Sequence, residues 1–250
     1  ELMESSDTPA DFKGQRLNSP DFSGSHIHDA NFEGARITDA WLKDADVSGY
    51  VKGMTLNGIE VWPLVEAELN RRTPERAKLT ARDPSGLAEG WTVIEEIWAK
   101  TLESARGLPD AMLYERVDGE WSFVETLRHL ILATDTWLGR MVKGEARPWH
   151  PWGLAGPWLK DPEAIGLDSA ARPSLDEVLT VRGGRMDSVR QTIARTSQED
   201  LLRMCVPPDT THHPNQPRTV LQCLHVILDE EWEHNRYANR DLAALQAGVA

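Results

Sequence analysis

Cysteine is scarce in this chain: Cys205 and Cys223 are the two among 250 residues, and no CxxC occurs. Two unpatterned thiols exclude a disulfide framework and fit a reducing compartment. A run of 18 or more uncharged apolar residues is also missing, so no segment is expected to span a membrane. The opening ELMESSDTPAD lacks the basic-then-apolar pattern of a secretory signal, and a soluble, cytoplasmic protein is expected. Basic residues are the minority, 27 against 40 acidic, and a net charge of −13 argues against nucleic acid as the partner. What is left is a chain long enough to bury a sizeable core in one large domain or two smaller ones.

Two different periods divide it. From residue 10 the chain reads in eight blocks of five, ADFKG QRLNS PDFSG SHIHD ANFEG ARITD AWLKD ADVSG, each centred on an apolar residue: Phe12, Leu17, Phe22, Ile27, Phe32, Ile37, Leu42 and Val47. A five-residue step turns about 140° on a helix and changes face on a strand, so neither element keeps that series on one side. The stretch resembles the pentapeptide-repeat family, in which the central residue and the small residue two before it point into a square, right-handed β-helix. Ala10, Ala30, Ala35, Ala40 and Ala45 match the small position, whereas Gln15, Pro20 and Ser25 depart from it. The resemblance implies a two-coil β-helix within a first domain at residues 1–60. Two coils are short for an independent solenoid, so the segment is expected to pack on the second half and act as a cap or docking surface. His26 and His28 need no further role there.

From VWPLVEAELNRR onward, residues 61–250 read as helical. Trp91, Ile94, Trp98, Leu102 and Ala105 share one face of a helix beginning near Ser85. Further helices are expected over 122–143, 174–196 and 219–245, the second of these opened by a Ser174/Glu177 capping box. Four amphipathic helices of this length make a bundle, and the fold class is mainly α. The connection RPWHPWGLAGPWLKDPEAIGLDSAARP is too long for a turn and too rich in tryptophan for disorder, which points to a functional lid. The stretch CVPPDTTHHPNQPR, with His212 and His213, reads as ordinary surface loop.

Polar residues interrupt the apolar faces. On a 100° wheel, Val220, Cys223, Ile227, Tyr237, Ala238 and Leu245 cluster, and Glu230, His234 and Asp241 fall among them; His225, Asp229, Trp232 and Arg236 point away. A carboxylate on a core face must be paired, protonated or bound to metal. In the preceding helix Arg182 lies inside the stripe of Leu175, Val178, Leu179, Met186, Val189 and Ile193, with Arg185 at its edge. Its bidentate partner is expected to be Glu230, Asp241 or a substrate carboxylate. His129 borders the apolar arc of the helix over 122–143. With a Glu-x3-His pair it makes two imidazoles and one carboxylate, a set suited to a divalent ion with an open position.

The string GEWSFVETLRHLILATDTWL, followed about 100 residues later by DEEWEHNRYANRDL, resembles the DinB-like metal-binding four-helix superfamily. That superfamily includes bacillithiol transferases and mycothiol-dependent maleylpyruvate isomerase. The resemblance implies a DinB-like bundle with metal ligands at His129, Glu230 and His234. Many members carry His where this chain has Glu230, which leaves zinc, nickel and manganese all open. It also implies transfer of a low-molecular-weight thiol such as mycothiol to an electrophile, in detoxification or stress response, with the metal lowering the thiol pKa. No counterpart of the isomerase's additional domain occurs within these residues, which argues against isomerisation itself. Arg182 would hold a carboxylate of either substrate. His150, with Trp149, Trp152 and Trp158 at the mouth of the site, would act as acid or base. Two other readings stay open: a non-catalytic metal-binding or docking module, with Asp241 closing the site, and a metal-dependent hydrolase. The expected partners are a small-molecule thiol and electrophile, with no nucleic acid and no membrane. Bundles of this kind often pair, so a homodimer is among the states expected.

Overall fold

The corners of the first fifty residues recur every five positions. Backbone amides of Gln15, Ser25, Ala35 and Ala45 donate to the carbonyls of Phe12, Phe22, Phe32 and Leu42 at 2.9–3.2 Å. The third position of each of these turns has a positive φ of 61–72°, at Gly14, Gly24, Gly34 and Asp44, which a type II turn requires. Between them the chain bends at Ser19, Asp39 and Gly49, again with positive φ. The structure, a computed structural model, describes residues 11–27, 30–156 and 158–249; Ala10 and His28 of the repeat lie outside them.

The expected β-helix is not evident among the described residues. No strand occurs among the described residues between 11 and 50, and the eight central apolar side chains are 46–66% exposed. Eight five-residue blocks are few for a solenoid, whose core is built by stacking layer on layer. This segment forms one compact unit, ending at Tyr50.

The second unit starts at Val51. A two-residue hairpin joins β1 (Thr55–Leu56) to β2 (Ile59–Glu60) through Asn57-Gly58, both at positive φ, as a type I′ turn demands. Six helices follow: α1 Trp62–Arg72, α2 Pro84–Arg106, α3 Phe123–Thr134, α4 Leu175–Arg195, α5 Gln198–Leu202 and α6 Val220–Val249. Their starts are chemically marked. Asp83 caps α2 ahead of Pro84, and Ser122 with Glu125, Ser174 with Glu177 and Ser197 with Asp200 form capping boxes that satisfy otherwise orphaned amides. Thr219 and Gln222 exchange the same pair of bonds before α6. A two-stranded ladder, β3 (Met204–Cys205) with β4 (Arg218–Thr219), closes the loop ahead of α6.

Helices α2, α3, α4 and α6 pack as the expected bundle. In cross-section the order is α2, α4, α3, α6, so α3 and α6 are neighbours and face each other. Trp91, Ile94, Trp98, Leu127, Ile131, Val178, Val189, Leu224 and Leu228 are among the side chains filling its centre; each contributes about 1.5–3 kcal/mol by leaving water. Trp232 belongs to this core too, contrary to the wheel that turned it outward. A 30-residue helix is wrapped on more than one side, so its buried arc is wider than one stripe.

Beyond Thr134 the helix continues as a π-helix from Asp135 to Val142. The tryptophan-rich connection folds over this end. Leu132, Trp149, Ile165 and Leu167 make a second small apolar cluster beneath it. Gly139 permits the approach, since a Cβ there would sit 2.6 Å from the Cβ of Pro148. No helix among the described residues is long and apolar enough to cross a membrane.

Candidate metal centre

His129 sits near the middle of α3, and its orientation is set by the connection above it. Its Nδ1 lies 3.0 Å from the Leu154 carbonyl, an acceptor, so Nδ1 carries the proton and the Nε2 lone pair points toward α6. Leu154 is itself anchored by its amide to the Arg128 carbonyl at 3.2 Å. The Arg128 guanidinium donates from Nε to the Trp152 carbonyl, and from its terminal nitrogens to those of Ala171 and Asp168, all at 2.9–3.0 Å. One buried arginine thus fastens three points of the connection, and the connection fixes the neighbouring histidine.

Glu230 and His234 are one turn apart on the facing side of α6. Glu230 Oε2 lies 3.4 Å from His129 Nε2 and 3.2 Å from His234 Nε2. One potential ligand atom from each of the three lies within 4.8 Å of the others. Two imidazole nitrogens therefore converge on the same carboxylate oxygen. With bonds of about 2.0–2.2 Å, a tetrahedral centre holds its donors roughly 3.3–3.6 Å apart; the His129 separation of 3.4 Å lies in that range and the His234 separation of 3.2 Å just below it. With Nδ1 committed to the Leu154 carbonyl, His129 turns Nε2 to Glu230, as an N–H donor when the ring is protonated and as a ligand for a cation when it is not. The donor set fits a divalent ion.

Access and electrostatics agree with that fit. The side chains of His129, His234 and Glu230 are 11%, 17% and 33% exposed, so the centre is recessed but reachable. Burial by itself raises the Glu230 pKa; hydrogen bonds and charge from the two imidazoles outweigh it and hold the carboxyl well below its usual range. The Trp121 ring covers His129 at 4.5 Å between centroids and stacks on His234 at 5.9 Å. Tyr237 meets His234 edge-on.

The other expected site residues are not in this group. Arg182 is paired with Glu231, a residue the wheel overlooked, and not with Glu230 or Asp241. Both terminal nitrogens donate to it, at 2.8 and 2.6 Å, in a pair only 3% and 1% exposed and covered by the Trp98 ring. A fork so filled has its two terminal nitrogens committed, which removes its expected substrate role. Asp241 is bound by Arg240 at 2.7 and 3.2 Å and is not a fourth ligand of the group. Arg185 grips Asp135, whose other contact is the backbone amide of His150. The His150 ring accepts the Trp152 amide at 3.1 Å, and burial and the charge of Arg185 lower its pKa. It shapes the connection and is not one of the three gathered side chains. His225 turns away, as expected, to the Ala81 carbonyl.

Glu231 and Asn235, which bonds Thr101, carry the polar signal the sequence reading missed. Both continue the series of Leu224 and Leu228 toward Leu242 at helical spacing, so a wheel centred on these leucines locates them.

A family model described as the DinB superfamily matches residues 93–238, more than half of the chain. No curated protein and no solved structure matches.

Proposed function

Because the chain belongs to the DinB superfamily, we propose that it is a metal-dependent enzyme joining a low-molecular-weight thiol such as mycothiol to an electrophile. His129, Glu230 and His234 would hold zinc, nickel or manganese. The observation that carries this reading is a reachable three-donor centre in a chain with no reactive thiol of its own. Cys205 and Cys223 are both buried. Burial raises both thiol pKa values, that of Cys223 to about 12 with the adjacent Cys205 adding to the effect. A sulfur nucleophile therefore has to come from a bound small molecule. A divalent cation held by the three residues supplies the Lewis acidity that favours the thiolate form of that molecule.

The chain's own residues do the rest. Leu154 keeps the His129 proton on Nδ1, Glu230 contributes the negative charge, and Trp121 and Tyr237 limit the approach of water. The new sulfur–carbon bond forms as the electrophile's leaving group departs with its electron pair, and the thiol proton passes to solvent. Two cysteines kept as thiols fit a cytoplasmic setting.

Elemental analysis of protein purified without a histidine tag, wild type against His234→Ala, tests the centre. Near-stoichiometric metal that is lost in the variant is expected. The thiol step is then read from the cobalt-substituted protein, where cysteine should produce a thiolate-to-cobalt absorption band; metal without that band would leave a structural centre and end the transferase reading. The first unit supports a second role. Its pentapeptide-like corners display Phe12, Phe22, Phe32 and Trp41 more than half exposed, as a docking surface would.

A further inference from the structure

A cavity of about 180 Å³ lies between the end of α3, the tryptophan-rich connection and the loop before α6. None of the three residues of the metal centre lines it. Leu132 and Thr136, three and seven residues after His129, belong to its lining. Thr136 lies in the π-helix that follows α3, and with no residue of the metal centre in the lining the cavity is a separate compartment.

Its size and walls select a ligand. Native interiors leave few voids larger than a water, and an apolar cavity of about 150 Å³ accepts benzene; this one holds a single ring with a small substituent. Leu132 and Ile165 offer an aliphatic surface, and Trp149 and Trp158 offer flat aromatic ones. His212 stands edge-on to Trp149 at 5.8 Å, and His213 stands edge-on to Trp137 at 5.7 Å. Trp158, Thr211 and His213 are exposed and form the entrance.

The polar groups offer hydrogen-bond donors to a ligand oxygen. Thr136 Oγ1 accepts the Trp149 indole N–H at 2.9 Å, which leaves its own proton for a ligand oxygen. Behind Trp149 lies Arg140, wholly buried, its guanidinium 5.3 Å from the ring centre. One terminal nitrogen reaches the carbonyl and carboxylate of Asp209, both at 3.0 Å, while Nε and the other terminal nitrogen are buried with no protein partner. Arg218 lies over the Trp137 ring. Among the described lining residues there is no carboxylate, and Asp161 and Glu163 of the connection are at the surface. The Arg140 charge is met by Asp209, so the hydrogen-bond donors of the described lining are the Thr136 hydroxyl and the two imidazoles.

We propose that the cavity is a binding site for a small aromatic carboxylate. The ring lies against Trp149 and Trp158 over Leu132 and Ile165, and the carboxylate meets the Thr136 hydroxyl and the imidazoles of His212 and His213. The site is independent of the metal chemistry.

Calorimetric titration of the full chain with benzoate tests it, with benzamide as the uncharged counterpart and acetate as the acid without a ring. Benzoate is expected to bind with Kd below about 1 mM, and the other two at least about tenfold more weakly. Thr136→Val and His212→Ala should each weaken benzoate about three- to tenfold, and Ile165→Trp, which fills the space, should abolish it. Thr136→Val keeps side-chain volume and serves if the tryptophan variant does not fold. His234→Ala should bind benzoate as wild type does. Absence of saturable benzoate binding up to about 10 mM overturns the proposal. So does equal binding of all three probes, indifference to Thr136→Val and His212→Ala, or loss of binding in His234→Ala, which would place the carboxylate at the metal centre.

Discussion

Glu230 and Glu231 are adjacent on α6, and the structure puts them to opposite uses. Glu231 points into the bundle, where both oxygens are taken by the two terminal nitrogens of Arg182 and water is shut out. Glu230 lies one position round the helix, at the edge of the core, and has two imidazole nitrogens on one of its oxygens. A filled bidentate fork leaves nothing for a ligand. Two imidazole nitrogens and a carboxylate gathered in a reachable recess form a donor set that suits a divalent cation. Which acid is structural and which is chemical is thus decided by a rotation of about 100°.

Removing each acid separates the two uses. Glu231→Ala leaves a buried guanidinium unpaired and should cost about 3–5 kcal/mol, read by urea denaturation, with metal content per folded molecule unchanged. Glu230→Gln should move the stability of the metal-free protein by no more than about 1 kcal/mol while abolishing stoichiometric metal. If both variants lose stability equally, the distinction between sealed pair and open centre fails.

His234→Ala sharpens the open side. It should weaken metal binding more than about 100-fold, a larger loss than second-sphere changes produce. A chelator should lower the melting temperature of the wild type and leave that of the variant where it is, because only a ligand that binds the folded state stabilises it. An equal response of both proteins would exclude a metal held by His234.

Arg128 comes next, as a positioning residue acting through Leu154 on His129. Arg128→Met should reduce metal affinity by about 10- to 100-fold and open the segment 147–173 to proteolysis. Arg128→Lys should not restore affinity, since one ammonium cannot reproduce three donors in a fork. Unchanged affinity alongside a loosened segment would make Arg128 purely structural.

The smallest effect concerns the thiols. Folded Cys223 keeps its proton up to about 12, whereas an unfolded cysteine loses it near about 8.5. Between those values the folded state binds the extra proton, so stability should fall as pH rises through that window and be flat just below it. Both thiols should resist a thiol reagent at pH 8 until the chain is unfolded. Rapid reaction of either in the native protein would return a protein nucleophile to consideration.

Much of the bundle was readable in advance. The Ser174/Glu177 box opens α4, and periodicity located the starts of α2, α3 and α6 to within a residue or two, because amphipathic stripes and caps are local properties. The Glu-x3-His spacing likewise brought Glu230 and His234 to one face, with His129 opposite. The partner of Arg182 was not readable: one guanidinium and three nearby acids satisfy the same local pattern, and only helix rotation selects Glu231. Nor was the π-helix over Asp135–Val142, which shares its residues with an ordinary amphipathic pattern. The loop histidines His212 and His213 gave no sign of lining a cavity, since its other walls come from segments some 50 to 80 residues earlier in the chain. In the repeat, turns and bends recur with the five-residue period, but the expected β-helix is not evident among the described residues. The period did not show whether the central side chains would be buried, which depends on how many layers stack.

By itself, then, the sequence determined the helices, their caps, the acidic surface and the three donor types, all set by interactions within a turn or two of chain. Tertiary structure alone decided that Leu154 fixes the His129 tautomer, that Arg128 fastens the connection carrying it, that Glu231 and not Glu230 neutralises Arg182, and that an aromatic cavity lies alongside α3. Those outcomes depend on angles and distances between residues far apart in sequence, where a small rotation of a packed helix exchanges one hydrogen-bond partner for another.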